Sequence, residues 1–191
     1  MTTAVSGPGF MGKPLLIQRT PGGATEIVYK QIRFLITERP NDLGMNSYLE
    51  DLKKFNVSMV VRVCEATYEV EKLLKEGIAV KDLEFPDGQP PPQEVIDAWL
   101  ELVRSGFSAD PTTCIAVHCV AGLGRAPVLV ALALMELGMK YEDAVELIRA
   151  KRRGAVNSKQ LSFLQRYKPK SRLKSSSKIN NNNNNNNCVV M

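Results

Sequence analysis

Two kinds of hydrophobic spacing alternate along the chain, and they predict alternating strands and helices. Short apolar runs, most of them rich in β-branched residues, predict five strands, at 26–29, 33–37, 59–63, 78–83 and 114–117. Apolar residues at helical spacing predict helices at 45–55, 68–77, 93–107, 125–137, 141–153 and 158–167. This alternation is typical of an α/β fold with a central, mainly parallel sheet flanked by helices.

Composition divides the chain into a folded body and two polar ends. Residues 1–23 are rich in Gly, Pro and Thr without sustained periodicity, so we expect a flexible lead-in. A folded domain is predicted over 24–168, and the basic and Asn-rich segment 169–187 is predicted to be disordered. No apolar run reaches the about 18 residues that would predict a transmembrane helix. The four scattered cysteines, without a signal-peptide pattern, suit a reducing compartment.

The formal net charge of +5 lies entirely in the C-terminal tail. From residue 168 onward the chain has no acid and five basic residues, which are Lys168, Lys170, Arg172, Lys174 and Lys178. The rest of the chain is neutral, which argues against a nucleic-acid-binding domain because such domains usually carry a basic face.

The stretch from His118 to Arg125 carries the most specific chemical signal. It follows a predicted strand and precedes a predicted helix, so several backbone N–H groups and the positive helix end are expected to converge on one point. Such a loop binds a phosphate-sized dianion, and the same field favours the thiolate form of Cys119. Arg125 can bind two phosphate oxygens through its planar guanidinium. The predicted phosphate-binding residues are Val120, Ala121, Gly122, Leu123, Gly124 and Arg125.

Two other interpretations of this loop are weaker. A buried structural Cys119 in a glycine turn would not require an Arg six positions later. His118, Cys119 and Cys114 match no zinc spacing, in a chain with one histidine. The loop is also not a Walker motif, because no Lys-Ser or Lys-Thr pair follows its last glycine. We therefore predict neither a metal nor another cofactor.

A thiolate that attacks phosphorus expels an oxygen leaving group, which needs a proton from a nearby acid. The candidates are Asp82, Glu84 and Asp87. Asp87 is favoured because it lies in the Pro-rich loop at 85–92, whereas Asp82 and Glu84 are expected to be ordinary surface charges. The alternative for Asp87 and Gly88 is a simple turn pair.

Ala126 bears on the second step, in which Asp87 would activate water to hydrolyse the phosphocysteine. Many phosphatases with this kind of loop have Ser or Thr at that position, where the hydroxyl assists the departing thiolate. Because Ala126 has no hydroxyl, we expect slow hydrolysis and a long-lived phosphocysteine.

Cys64 follows the predicted strand at 59–63. If that strand neighbours the strand at 114–117, Cys64 and Cys119 lie side by side, and an oxidised Cys119 would be trapped as a disulfide. From the residues alone, a plain core cysteine is the simpler explanation of Cys64, and both interpretations stay open.

The sequence HCVAGLGRAP at 118–127 resembles the phosphatase of regenerating liver family, the type IVA protein tyrosine phosphatases. The resemblance continues at 61–68, 151–155 and 157–161, and it covers about 26–172 together with the last four residues. The Ala after the loop Arg is itself a mark of that family. The resemblance implies a cysteine-dependent, dual-specificity-like phosphatase fold, with Cys119 as nucleophile, Arg125 as phosphate clamp and Asp87 as general acid. It also implies that Cys64 is the partner of Cys119 in a regulatory disulfide.

The acid loop departs from the family pattern, which usually reads Trp-Pro-Phe-Asp-Asp-Gly. Here the Trp position is Leu83 and the first Asp position is Pro86, while the second Asp is kept as Asp87. We expect these changes to affect the position and closure of the loop more than the acid chemistry of Asp87.

The last four residues, Cys188 to Met191, match a prenylation signal in which a terminal Met favours farnesyl, with methylation also expected. One lipid binds a membrane weakly, and the basic cluster at 168–178 would supply the second signal. We therefore expect a peripheral, lipid-anchored protein on the cytoplasmic face of the plasma membrane or endosome. The alternative is a coincidental ending on a solubilising basic tail.

Together these features predict a membrane-tethered cysteine phosphatase that acts on phosphotyrosine in proteins. Because Val120, Ala121 and Leu123 are not basic, the loop is less suited to a polyanionic inositol head group. The alternative is a binding module that docks an acidic loop of a partner in the same cradle, and the resemblance implies CBS-domain magnesium transporters as that partner. Association into a homo-oligomer is also compatible with the sequence.

Overall fold

Five strands form one sheet in a computed structural model that describes residues 23–173. The strands are β1 (Thr25–Tyr29), β2 (Ile32–Thr37), β3 (Val57–Arg62), β4 (Ala79–Asp82) and β5 (Cys114–His118). They lie in the order β1-β2-β5-β3-β4, and β1 is antiparallel to β2 while the other neighbours are parallel. The predicted, mainly parallel sheet is therefore confirmed.

Between residues 23 and 173, six helices cover the two faces of the sheet. They are α1 (Met45–Lys54), α2 (Glu71–Lys75), α3 (Gln93–Ala109), α4 (Arg125–Glu136), α5 (Tyr141–Lys151) and α6 (Ser158–Arg166). None of these helices, within the part of the chain described, is long and apolar enough to cross a bilayer.

The strand β5 supplies the centre of the core because all five of its residues are buried. Successive side chains of a strand point to opposite faces, so Ile115 and Val117 pack with α3 to α6, whereas Cys114 and Ala116 pack with α1 and α2. Every residue of α4 is buried as well. A helix that is buried all round lies between other layers, and α4 thus anchors the loop that precedes it.

One helix is shorter than its sequence pattern predicts. Apolar spacing predicts a helix over 68–77, but α2 comprises only Glu71–Lys75. Tyr68 is held outside the helix because its carbonyl accepts a hydrogen bond from Arg62 Nη1 at 2.9 Å and its hydroxyl contacts His118. Tertiary contacts therefore override the local helical preference.

A buried carboxylate ties the end of the described chain to α4. Glu136 accepts hydrogen bonds from the Tyr167 hydroxyl at 2.6 Å, from Lys170 N at 3.1 Å and from Arg172 N at 2.8 Å. Burial acts to raise the pKa of Glu136, but these hydrogen bonds outweigh it and the pKa is lowered. We call residues 167–173 the C-terminal strap.

The strap corrects the predicted domain boundary at 168. Leu173 is buried, and the folded body includes 169–173, which the sequence assigned to a disordered tail. The charge pattern concealed this, because the acid that holds the strap lies more than thirty residues earlier in the chain. The rest of the predicted tail and the predicted lead-in up to residue 22 lie outside the described residues.

Candidate active site

The loop between β5 and α4 has its carbonyl groups bonded outward. Each carbonyl oxygen from Val120 to Gly124 accepts a hydrogen bond from outside the loop, with distances of 2.6–3.2 Å. In the order of their acceptors, the donors are Arg39 N, Arg152 Nη2, Arg152 Nε, Val156 N and Val128 N.

The N–H groups of the same residues are left for a ligand. From Val120 to Gly124 they donate no hydrogen bond to any residue between 23 and 173. The N-terminus of α4 lies at the end of the loop, and its dipole favours an anion there. All the predicted phosphate-binding residues therefore belong to one cradle, and the Cys119 side chain lies buried where the cradle begins.

Gly122 is required by the close approach of the loop to its surroundings. Its φ is +64°, a left-handed conformation that favours glycine. A Cβ on this residue would lie 2.5 Å from the Thr37 carbonyl oxygen and would also clash with the Arg152 guanidinium. Any side chain here would push the loop away from Arg152, which donates to the carbonyls of Ala121 and Gly122.

Arg152, at the end of α5, is a site residue that the periodicity did not identify. Besides the carbonyls of Ala121 and Gly122, it donates to Gly23 O and to Thr25 Oγ1, and it lies 3.7 Å from a Glu38 carboxylate oxygen. Its guanidinium therefore joins the loop to the start of β1. The only sequence signal for it was the motif at 151–155, which the resemblance included without assigning a role.

Arg125 and Asp87, predicted as clamp and acid, are brought together. Arg125 is buried, with 4% of its side chain exposed, and its Nε lies 3.1 Å from Asp87 Oδ1. Its Nη1 donates to the Phe85 carbonyl at 3.2 Å, while its buried Nε makes no hydrogen bond to the described residues. Asp87 is 80% exposed. The guanidinium thus retains donors for an oxyanion, and the acid reaches it from the solvent side.

The acid loop is held at both ends despite its departures from the family pattern. Leu83 N donates to the Arg62 carbonyl at 2.9 Å, which fixes the start of the loop. Asn157 Nδ2 donates to the Gly88 carbonyl at 3.2 Å and Gln160 Nε2 to the Gln89 carbonyl at 3.4 Å. Asn157, which precedes α6, and Gln160 also form the capping box of that helix, so the start of the helix supports the acid loop.

His118 is fixed by a buried tyrosine. Its Nδ1 lies 3.3 Å from the Cys119 carbonyl, which can only accept, so Nε2 accepts from the Tyr68 hydroxyl at 2.8 Å. Burial lowers the pKa of His118 to about 4, and the imidazole is neutral at pH 7. The pair orients the backbone that carries Cys119.

Asp82 is more than the surface charge that its sequence suggested. Its carboxylate accepts from Arg62 Nε at 2.5 Å and from Arg62 Nη2 at 2.9 Å. This bidentate pair compensates the charge of an Arg that is 5% exposed, and the guanidinium lies 4.9 Å from the centre of the Tyr68 ring. The pKa of Asp82 is lowered, chiefly by the hydrogen bonds from Arg62.

Cys64 and Cys119 follow adjacent parallel strands. Arg62 on β3 lies opposite His118 on β5, and Val63 N donates to the His118 carbonyl at 3.0 Å. Both cysteines are buried free thiols, and burial raises the pKa of Cys64. Among residues 23–173 no cluster of His, Cys, Asp and Glu could hold a metal ion. The predicted lipidation site, Cys188, lies outside the described residues.

Comparison with known proteins shows which family has this sequence and fold. The family model of the polymorphic toxin system DSP-PTPase phosphatases matches residues 38–139. The PRL-1 phosphatase of Drosophila melanogaster is 62% identical over 78% of this chain and 84% of its own length. The chain belongs to the type IVA protein tyrosine phosphatases.

Other relatives of this type IVA phosphatase agree. The human protein tyrosine phosphatase type IVA 3 is 58% identical over 78% of this chain and 86% of its own length. The solved structure of a putative protein tyrosine phosphatase from Leishmania major has a TM-score of 0.68 at 40% identity, and the match covers 76% of this chain and 98% of that one. PTPMT1, at 21% identity and a TM-score of 0.59, shares the fold. The predicted fold and enzyme class are therefore confirmed.

The buried, neutral state of His118 leads to a prediction for proton NMR. Because His118 is the one histidine in the sequence, its imidazole titration is read without assignment, on protein that lacks a histidine tag. We expect a midpoint of about 4, compared with about 6.5 for an exposed histidine. Below pH 6.5 the imidazole of the unfolded chain becomes protonated, while that of the folded chain stays neutral. The free energy of unfolding should therefore fall by about 3 kcal/mol as the pH falls towards 4.

Tyr68→Phe is the matched control for that titration. It keeps the ring but removes the hydroxyl that donates to Nε2, so the midpoint should rise. A midpoint near 6.5 in the unaltered protein would contradict the buried, neutral imidazole.

Proposed function

We propose that this type IVA phosphatase is a membrane-tethered, cysteine-dependent enzyme that removes phosphate from phosphotyrosine in proteins through a phosphocysteine. The outward bonding of the loop carbonyls supports the proposal most directly, because it leaves five N–H donors beside Cys119 for the phosphate oxygens. The buried Arg125 guanidinium adds a planar pair of donors at the opposite end of the loop.

In the first step the Cys119 thiolate attacks phosphorus and the tyrosine oxygen leaves. The loop N–H groups and Arg125 stabilise the charge that develops on the equatorial oxygens. Asp87 supplies a proton to the leaving oxygen, which requires that the phosphate replaces it beside Arg125. In the second step Asp87 accepts a proton from water as the water attacks the phosphocysteine, and the thiolate is released.

Ala126 makes the second step slow. It is buried at the second position of α4, directly after Arg125, and provides no hydroxyl to the departing sulfur. Because such a hydroxyl stabilises the sulfur as it departs in the second step, the missing donor slows the hydrolysis of the intermediate more than its formation. The phosphocysteine should therefore accumulate.

Rapid mixing with a phosphotyrosine analogue should give a burst of product followed by a slow steady state. Intact-protein mass spectrometry during the slow phase should show one phosphate on Cys119, which Cys119→Ser should lack. Ala126→Ser should raise the steady-state rate by about fivefold, the equivalent of one hydrogen bond of about 1 kcal/mol. An unchanged rate in Ala126→Ser, or no phosphate on Cys119, would contradict the proposed route.

A second candidate function is docking of an acidic partner loop in the cradle. It is favoured by the contact between Asp87 and Arg125, in which a carboxylate already lies against the clamp. Asp87→Ala should lower phosphotyrosine turnover by about 10² to 10⁴ but spare binding to a CBS-domain magnesium transporter, the partner that family resemblance implies. Arg125→Glu should abolish both. Loss of partner binding in Asp87→Ala would argue against a docking function that is independent of catalysis.

We also propose that Cys64 protects Cys119 from irreversible oxidation. Peroxide would convert the Cys119 thiolate to a sulfenic acid, and the Cys64 sulfur would displace water from it to form a disulfide. The adjacent carboxyl ends of β3 and β5 support this pairing.

Mass spectrometry after brief peroxide treatment should show a loss of two hydrogens and a peptide that links Cys64 to Cys119. Cys64→Ser should instead accumulate sulfinic acid on Cys119, and Cys114→Ser, which alters another buried thiol, should behave like the unaltered protein. A linkage to Cys114 would contradict the proposed pair.

Membrane tethering is the last part of the proposal. It is supported by the prenylation motif at Cys188 and by the exposed basic residues Arg166, Lys168 and Lys170, which line an open groove beside the strap. We expect the protein to associate with the cytoplasmic face of membranes in cells. Cys188→Ser should move it from the membrane fraction to the soluble fraction. A double substitution of Lys168 and Lys170 by Gln should weaken, but not abolish, membrane association. Unchanged association of Cys188→Ser would refute the lipid anchor.

A further inference from the structure

Arg39 lies beside the site and makes no ion pair within the part of the chain that the structure describes. Arg39 follows β2 by two residues, and its backbone N–H donates to the Val120 carbonyl at 3.1 Å. The preceding pairing of Thr37 with His118 sets this position, because β2 and β5 run parallel and end together. Arg39 therefore belongs to the frame of the phosphate cradle without being part of its loop.

Arg39 is partly buried just after β2, at the edge where the carboxyl ends of β2, β5 and β3 lie side by side. In agreement with this placement, its positive charge acts to lower the pKa of both the Cys64 thiol and the His118 imidazole. Within residues 23–173 the Arg39 guanidinium makes neither a hydrogen bond nor an ion pair.

The acids around the site are engaged elsewhere. Glu38 pairs with Arg152, Asp82 with Arg62 and Asp87 with Arg125. Glu65 is close enough to raise the pKa of Cys64 but makes no ion pair with Arg39. The guanidinium of Arg39 therefore keeps its hydrogen-bond donors available to a ligand that enters the site.

Two exposed apolar side chains lie on the loop itself. Val120 is 46% exposed and Leu123 is 40% exposed, although both are large hydrophobic residues. Apolar side chains around a phosphate cradle suit an aromatic ring and the neighbouring part of a peptide better than a second phosphate of an inositol. A cation that lies beside these side chains and makes no ion pair within residues 23–173 suits one carboxylate of the ligand.

We propose that Arg39 is a specificity-determining residue that binds an acidic side chain next to the phosphotyrosine of the substrate. This inference rests on the proposed function and adds a substrate class to it, namely phosphotyrosine peptides with Asp or Glu near the phosphorylated residue. The carboxylate would complete a charge-assisted hydrogen bond with the guanidinium while the phosphate occupies the cradle.

The test compares pairs of phosphotyrosine peptides that differ by Glu or Gln at successive positions on each side of the phosphotyrosine. For the full chain we expect kcat/KM to be about fivefold higher for Glu than for Gln at one of these positions, through KM rather than kcat. Arg39→Gln should reduce the rate on the Glu peptide to that on the Gln peptide, so that the ratio becomes one. Arg39→Lys, which keeps the charge, should restore part of the ratio.

Arg104→Gln is the matched control. It also removes one positive charge, but from an exposed residue on α3 that pairs with Glu101. It should keep the full preference for Glu. An unaltered preference in Arg39→Gln, or an equal loss of rate on both peptides, would overturn the inference, the second result because Arg39 would then act on the loop itself.

Failure of this inference is distinguishable from failure of the proposed function. Hydrolysis of p-nitrophenyl phosphate by the unaltered protein, with phosphate on Cys119, tests the function without any peptide flank. If that reaction proceeds and no position favours Glu, the inference alone is overturned. If no phosphoryl transfer occurs with any substrate, both are overturned.

Discussion

The site depends on one constraint, which is that a stretch of backbone must have every carbonyl occupied on its outer side. Peptide groups alternate donors and acceptors, so a loop presents N–H groups to an anion only where other donors hold its carbonyls back. Five donors from four other segments do this for residues 120–124. Two of the five come from Arg152, so one side chain determines much of the electrostatic character of the cradle. The parallel strands and the buried helix α4 are the frame that brings these segments together.

Two arginine–aspartate pairs near the site differ in their hydrogen bonds, and the difference matches their different roles. Arg62 and Asp82 form a bidentate pair with good hydrogen-bond geometry, and the arginine holds Tyr68. Arg125 and Asp87 make one close contact, in which the arginine Nε forms no hydrogen bond. In the first pair, Asp82 accepts two hydrogen bonds from the Arg62 guanidinium, so the pair has a structural role. The second leaves donors unused, which is what a site that exchanges a carboxylate for a phosphate requires.

The sequence predicted the strands, most helices and the phosphate loop because their signals are local. The hydrophobic period and the spacing from Cys119 to Arg125 both lie within short windows. The residues that it missed act at a distance. Asn157 and Arg152 bond to backbone groups 69 and 30 residues away, and such contacts leave no periodic trace. The same reason explains why the strap was predicted to be disordered, because its basic residues are held by Glu136, which is distant in the sequence.

The helix α4 begins at the proposed phosphate clamp and ends at the carboxylate that holds the strap. Arg125 is its first residue and Glu136 its last, so about 18 Å of rigid, fully buried helix separates the two. Whatever the chain beyond Leu173 is attached to, its point of departure is fixed with respect to the catalytic mouth. The exit of the chain at Leu173 and the loop at the start of α4 therefore belong to one rigid body, joined through this helix.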